Sequence, residues 1–247
     1  MLDGSVIILI AITFFIAGSV KGVIGLGLPT VSLALLTVIV GLKPAMALLI
    51  VPSLVTNIWQ AGRGSNVFGL LFRIWPFLLF SVLTVWFGTK LLQRVDVELL
   101  SMLLGVVVVF YSITGLAKLQ ISLDQSLEKW VGPIIGAING ILTGMTGSFV
   151  FPGVLYLQSI GLSREALIQA MGMLFTVSTL ALGLSLGKQN LITPYLGTIS
   201  AFAVVPALIG MLLGKRLREK LSETTFRRVF FTGLLVLGLY IFFSSSI

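Results

Sequence analysis

Solid apolar runs recur from one end of this chain to the other. Several reach the roughly 18 to 20 residues that a helix needs to cross a bilayer. Stretches such as LLGVVVVFYSITGL and FAVVPALIGMLLG lack the short alternating pattern of a β-barrel strand. The residues are 57% hydrophobic and 10% charged, against roughly 25% charged in a soluble globular domain. Too few polar side chains exist to cover a water-facing surface, so the chain reads as an all-α polytopic membrane protein. The start, MLDGS, lacks the positive region of a secretory signal.

Apolar segments fall at about 5–20, 28–41, 44–62, 69–89, 97–117, 131–146, 149–161, 165–187, 194–213 and 228–244, which gives about 8–10 membrane segments. Those at 28–41 and 149–161 are too short to span as straight helices. Each follows a Gly-rich break, so they read as halves of broken helices or arms of re-entrant hairpins. Non-helical backbone at membrane depth survives only where protein or a water-filled cavity satisfies it. The competing reading of each break is close helix packing between small residues four apart, as at Gly18 and Gly22 or Gly140 and Gly144.

The net charge of +8 fits basic loops on the cytoplasmic side better than a nucleic-acid partner. With the segments alternating, Lys43, Lys90, Arg94 and Lys188 fall on one side. Arg63, Arg73, Lys118, Lys129, Arg164, Lys215, Arg216, Arg218, Lys220, Arg227 and Arg228 fall on the other. The more basic side is assigned to the cytoplasm, which puts both termini outside a cell (inner or plasma) membrane.

The chain also repeats itself. Gly18, Gly22 and Gly25 recur as Gly140, Gly144 and Gly147, and a proline follows each set, Pro29 and Pro152. GLKPAMALLIV from Gly41 lines up with GLSREALIQAM from Gly161, and GTKLLQRVDVELL from Gly88 with GKRLREKLSETTF from Gly214. The division is a repeat over 1–117, a polar linker over 118–130 and a second repeat over 131–247. Halves of five segments are inverted relative to one another because five is odd. Inverted repeats with broken helices are a recurring transporter plan, with the site at the repeat interface near the midplane.

The elements AGSVKGVIGLGLP and GAINGILTGMTGSFVFPGV, with the length and repeat pattern, make the chain resemble the sulfite exporter TauE/SafE family over essentially its whole length. The resemblance implies a membrane permease for sulfur-containing anions such as sulfite and organosulfonates. A permease for another small organic anion, such as a carboxylate, or an anion channel fits the same residues.

An anion at the midplane needs donors and positive potential, which helix N-termini provide. The breaks place such ends near Gly25, Gly27 and Pro29, and near Gly147 and Pro152. Lys21 is the basic residue inside the first break, and an intramembrane charge marks a functional site by default. Its alternative is snorkelling to a membrane surface. Candidate substrate contacts are Lys21, Gly22, Gly25, Gly27 and Asn57 in the first half, and Asn139, Gly144, Thr146, Gly147 and Ser148 in the second. Thr143 stands where Lys21 does in the repeat, so the site is asymmetric.

The acids Asp3, Asp96, Glu98, Asp124, Glu128, Glu165, Glu219 and Glu223 all fall in loops or at segment ends, which disfavours a proton relay through side chains. With no His, no Cys and no intramembrane carboxylate pair, an enzyme is disfavoured and neither cofactor nor metal is expected. The expected partners are a small anionic substrate and the lipid bilayer, with a homodimer as a further assembly and no nucleic acid.

Overall fold

The computed structural model describes residues 3–62, 66–117, 121–218 and 222–245. They form helices and connecting turns, with no strand among the described residues. In chain order the helices are α1 (Gly4–Ile24), α2 (Leu28–Val40), α3 (Leu42–Leu48), α4 (Ile50–Ala61), α5 (Val67–Arg94), α6 (Val97–Leu116), α7 (Glu128–Thr146), α8 (Gly153–Ser159), α9 (Arg164–Lys188), α10 (Pro194–Arg218) and α11 (Glu223–Ser244). Side-chain caps open several of them. Asp3 accepts from Gly4 N–H at 2.7 Å, Asn66 from Gly69 N–H at 2.9 Å and Ser163 from Ala166 N–H at 3.3 Å.

Six helices, α1, α5, α6, α9, α10 and α11, are long and apolar enough to cross a membrane. The α3–α4 pair, bent by 45°, makes a seventh. The eight to ten membrane segments expected from the sequence include shorter elements as well, here α2, α7 and α8. α2 has 13 residues and α8 only 7, short of the roughly 20 a span requires. α7 carries Glu128, Lys129 and Asn139 among glycines at every fourth position, Gly132, Gly136, Gly140 and Gly144, and falls short in hydropathy. The run 44–62 is two helices meeting at Leu49. Helix α7 also starts within the expected linker. Arg63, Lys118, Glu219 and Lys220, and linker residues 118–120, lie outside the described residues.

The glycines set how the helices pack. A Cβ on Gly18 would collide with the Ala207 carbonyl of α10, and a Cβ on Gly140 with the Ser81 carbonyl of α5. The aligned position Gly22 meets Met211 where Gly144 meets Val85, and Gly214 meets Ser19 where Gly88 meets Ile141. Positions aligned by the repeat therefore make the same contacts with exchanged partners. The first helix of each half, α1 or α7, lies against the next-to-last helix of the other, α10 or α5.

Both glycine-packed pairs run in the same direction, since Gly18 and Gly22 advance along α10 as Gly140 and Gly144 advance along α5. α4 runs opposite to α9, with Ala61 against Gly172 at one end and Ile50 against Gly183 at the other. α5 runs with α9. Arg73 bonds the Ile160 carbonyl just before α9, and further along Thr89 Oγ1 lies 2.5 Å from Ser185 Oγ.

The bend at Leu49 interrupts the backbone ladder, and α10 repairs it. Ser200 Oγ donates to the Leu48 carbonyl at 2.7 Å and accepts from Val51 N–H at 3.2 Å. The interior is apolar, with Phe14, Phe77, Phe149 and Phe175 fully buried. Outward-facing Phe72, Phe202 and Val236 are more than half exposed, as suits side chains that meet lipid.

Candidate functional site

Helix α4 carries Ser53, Thr56, Asn57 and Gln60, at positions i, i+3, i+4 and i+7, so all four share one face. All four are buried. A buried polar stripe on a membrane helix must find partners inside the protein. Lys21 of α1 supplies the central one. It is 4% exposed, so it does not snorkel to a membrane surface. Its Nζ donates to Thr56 Oγ1 at 3.2 Å and to Asn57 Oδ1. Thr56 in turn donates to the Pro52 carbonyl at 2.8 Å.

The donor bookkeeping leaves a surplus. An ammonium has three N–H donors and no acceptor, and Lys21 uses two. Because Lys21 can only donate, Asn57 must present its oxygen to it. Asn57 Nδ2 is then left buried without a partner among the described residues, as are the hydroxyls of Ser53, Ser178 and Thr179. The antiparallel register sets Ser53 and Asn57 across from the middle of α9, where Ser178 and Thr179 lie. No carboxylate is bonded to Lys21 among the described residues. The described acids sit where the sequence placed them: Asp3 and Asp96 at N-caps, Glu98, Glu128 and Glu165 in first turns, and Asp124 ahead of α7. The described ion pair, Arg73 with Glu128 at 2.6 Å, joins α5 to α7. Burying a charge without a counter-charge costs several kcal/mol, on the order of the desolvation penalty for one ion.

The first break follows directly from Lys21. Its carbonyl accepts from Gly25 N–H at 2.8 Å, and Gly25 closes α1 at φ 86°. Gly27, at φ 106°, opens α2 ahead of Pro29. Thr30 Oγ1, in the first turn, is buried without a partner. Gly25 faces Ile168 of α9.

The second break mirrors the first in backbone and differs in side chains. Gly147 closes α7 at φ 75°, with its N–H on the Thr143 carbonyl at 2.8 Å. Thr143 Oγ1 donates to the Ser148 carbonyl at 3.1 Å, and Thr146 Oγ1 accepts from Ser148 N–H at 3.2 Å. Ser148 Oγ is buried without a partner. Asn139 Oδ1 accepts from Gly153 N–H at 2.9 Å, and Asn139 Nδ2 donates to Ser81 Oγ at 3.2 Å. The first donor of α8 is thus taken by protein. Gly147 faces Met46 of α3 and Leu33 of α2, so each break touches the other half of the chain.

The candidates fall into two clusters, Lys21 with Asn57, and Asn139 with Thr146, Gly147 and Ser148. No hydrogen bond among the described residues joins the two. Gly22 and Gly144 lie in the glycine contacts to α10 and α5. The sequence reading missed Thr56, Ser53 and Thr179. Their signal was the 3.6-residue spacing of polar residues along an otherwise apolar helix. No group of three metal-ligating side chains occurs among the described residues.

Helices long and apolar enough to span a membrane, with two broken elements built on one plan and a buried lysine, define a polytopic helical membrane protein. The family profile described as sulfite exporter TauE/SafE matches residues 10–241, and the chain belongs to that family of membrane transporters. No curated protein and no solved structure matches it significantly.

Proposed function

We propose that the protein is a secondary transporter for small sulfur-containing anions such as sulfite or organosulfonates. The observation that carries this is Lys21: a buried ammonium held by neutral partners, beside an amide whose N–H groups have none. An oxyanion bound there would pair the charge and accept from Lys21 and Asn57 together. The family supports sulfur anions over other anions of similar size.

The transport cycle in this reading is alternating access, with two inverted repeats, 1–117 and 131–247, moving about a site at their interface. The helix directions support inversion. α1 and α10 run together, α5, α7 and α9 run together, and α4 runs against α9. α4 also runs with α10, since Leu48 and Val51 meet Ser200 while Thr56 lies by Met211. Corresponding helices of the two halves therefore point in opposite directions. The basic loops then face the cytoplasm, and both termini lie outside the cell membrane. Efflux of an anion from an inside-negative cell gains about 2.3 kcal/mol per charge per 100 mV and needs no coupling ion.

The test is flux in proteoliposomes with sulfite, thiosulfate, taurine, sulfoacetate and plain carboxylates, each with counterflow. Trans-stimulated flux of a sulfur anion is the expected result. Flux of carboxylates alone reassigns the substrate, and flux without trans-stimulation makes the protein a channel.

A further inference from the structure

A cavity of about 320 Å³ opens beside the first break, between α1, α6, α8, α9 and α11. Among the described residues its polar lining is Arg164, Arg227, Tyr111 and Gln158, with no acid. Its apolar side includes Ile24, the last residue of α1, and Phe231. Neither Lys21 nor any residue bonded to it takes part.

Arg227 is fixed in place before any ligand arrives. Its Nη2 donates to the Gly115 carbonyl at 3.0 Å, near the end of α6. The guanidinium lies over the Phe231 ring, 5.7 Å from its centroid, and Phe231 meets Tyr111 edge-on at 5.3 Å. A guanidinium has five N–H donors in a rigid fork. Among the described residues, the Gly115 carbonyl is the guanidinium's one hydrogen-bond partner. Nε is buried without a partner. Arg227, with no acid beside it among the described lining residues, makes its side of the cavity positive, and the low-dielectric walls concentrate that potential.

We propose that this cavity is a second anion site, one helical turn from Lys21. It would take an oxyanion head carried on a short apolar body. The guanidinium fork and the Tyr111 hydroxyl suit the head, and the wall at Ile24 and Phe231 suits the body. Such chemistry belongs both to soluble alkanesulfonates and to the phosphate headgroup of an anionic lipid. The site requires no assumption about what the protein carries.

The experiment measures hexanesulfonate binding to the full chain in nanodiscs of zwitterionic lipid, with hexanol as the uncharged control. Hexanesulfonate binds and hexanol does not. Arg164→Gln and Arg227→Gln each weaken binding about tenfold, as expected for losing a charged hydrogen bond. Leu167→Trp, which fills the cavity without removing charge, weakens it comparably and guards against misfolding of Arg227→Gln. In the Lys21→Gln background, which removes the contribution of the proposed transport site, hexanesulfonate binding persists and keeps its dependence on Arg227. If phosphatidylglycerol competes in an Arg227-dependent way, the site stands with a lipid headgroup as its natural source. If binding is unchanged in both arginine variants and in Leu167→Trp, or if no Arg227-dependent binding remains in the Lys21→Gln background, the proposal falls.

Discussion

Gly18 and Ala207 lie so close that the backbone of one helix occupies the space a side chain on the other would need. Gly140 and Ser81 stand in the same relationship in the other half. Gly18→Ala and Gly140→Ala should therefore each destabilise the protein by about 1–3 kcal/mol through overpacking. Gly233→Ala, where a Cβ meets nothing within 4 Å, should leave stability unchanged or raise it slightly, alanine being the better helix former. Thermal unfolding in detergent separates the two classes. Equal behaviour would show that the close approach is not what binds these helices.

Asn57→Asp places a carboxylate against the Lys21 ammonium. The pair neutralises itself, so the protein should stay folded while anion affinity falls by tenfold or more, about 1.4 kcal/mol per factor of ten. Lys21→Gln should also lose affinity. Normal affinity and flux in Asn57→Asp would remove this cluster from the transport site.

Asn139 has its amide committed on both sides, to Gly153 N–H and Ser81 Oγ. Asn139→Ala leaves a buried backbone donor unmatched and should cost about 1–3 kcal/mol of stability. At a temperature where the variant is folded, the substrate KM should be unaltered. A raised KM with unchanged stability would instead make Asn139 a substrate contact.

Arg73 holds Glu128 through two nitrogens, at 3.0 and 2.6 Å, and also the Ile160 carbonyl at 2.6 Å. It thereby joins α5, α7 and the end of α8. Lysine cannot reproduce the fork, so Arg73→Lys should lower stability by about 1 kcal/mol, a figure reduced for its partial exposure. The loss should shrink in high salt. An effect absent at both low and high salt would mean the pair is merely a surface contact.

The repeat was legible because glycine is informative where helices touch. The same spacings of four and three residues appear at 18–25 and 140–147, and the first two glycines of each set make matching contacts. The siting of the described acids at or ahead of helix starts was legible too, since membranes penalise them elsewhere. The lengths of α7 and α8 were not. The apolar run 149–161 suggests a longer helix, and only Asn139, arriving from α7, decides that α8 begins at Gly153. Lys21 was readable as a charge inside a break, but its choice between snorkelling and burial depends on the polar face of α4 lying within reach of its side chain. That is a tertiary fact. Thr56 was invisible for the same reason, although its place in a polar stripe was on the page.

The hydroxyl of Ser200 gives the bend at Leu49 a mechanical property. It holds one acceptor and one donor of α3–α4 at once, and it belongs to α10. Sliding α10 by a single residue would break both bonds together and strand two backbone groups in hydrocarbon, each carrying several kcal/mol. α10 and the elbow are thereby geared. Because Gly18 and Gly214 lock α10 to α1, the gearing extends to the helix that bears Lys21, so a rocking motion of α10 must carry the lysine with it.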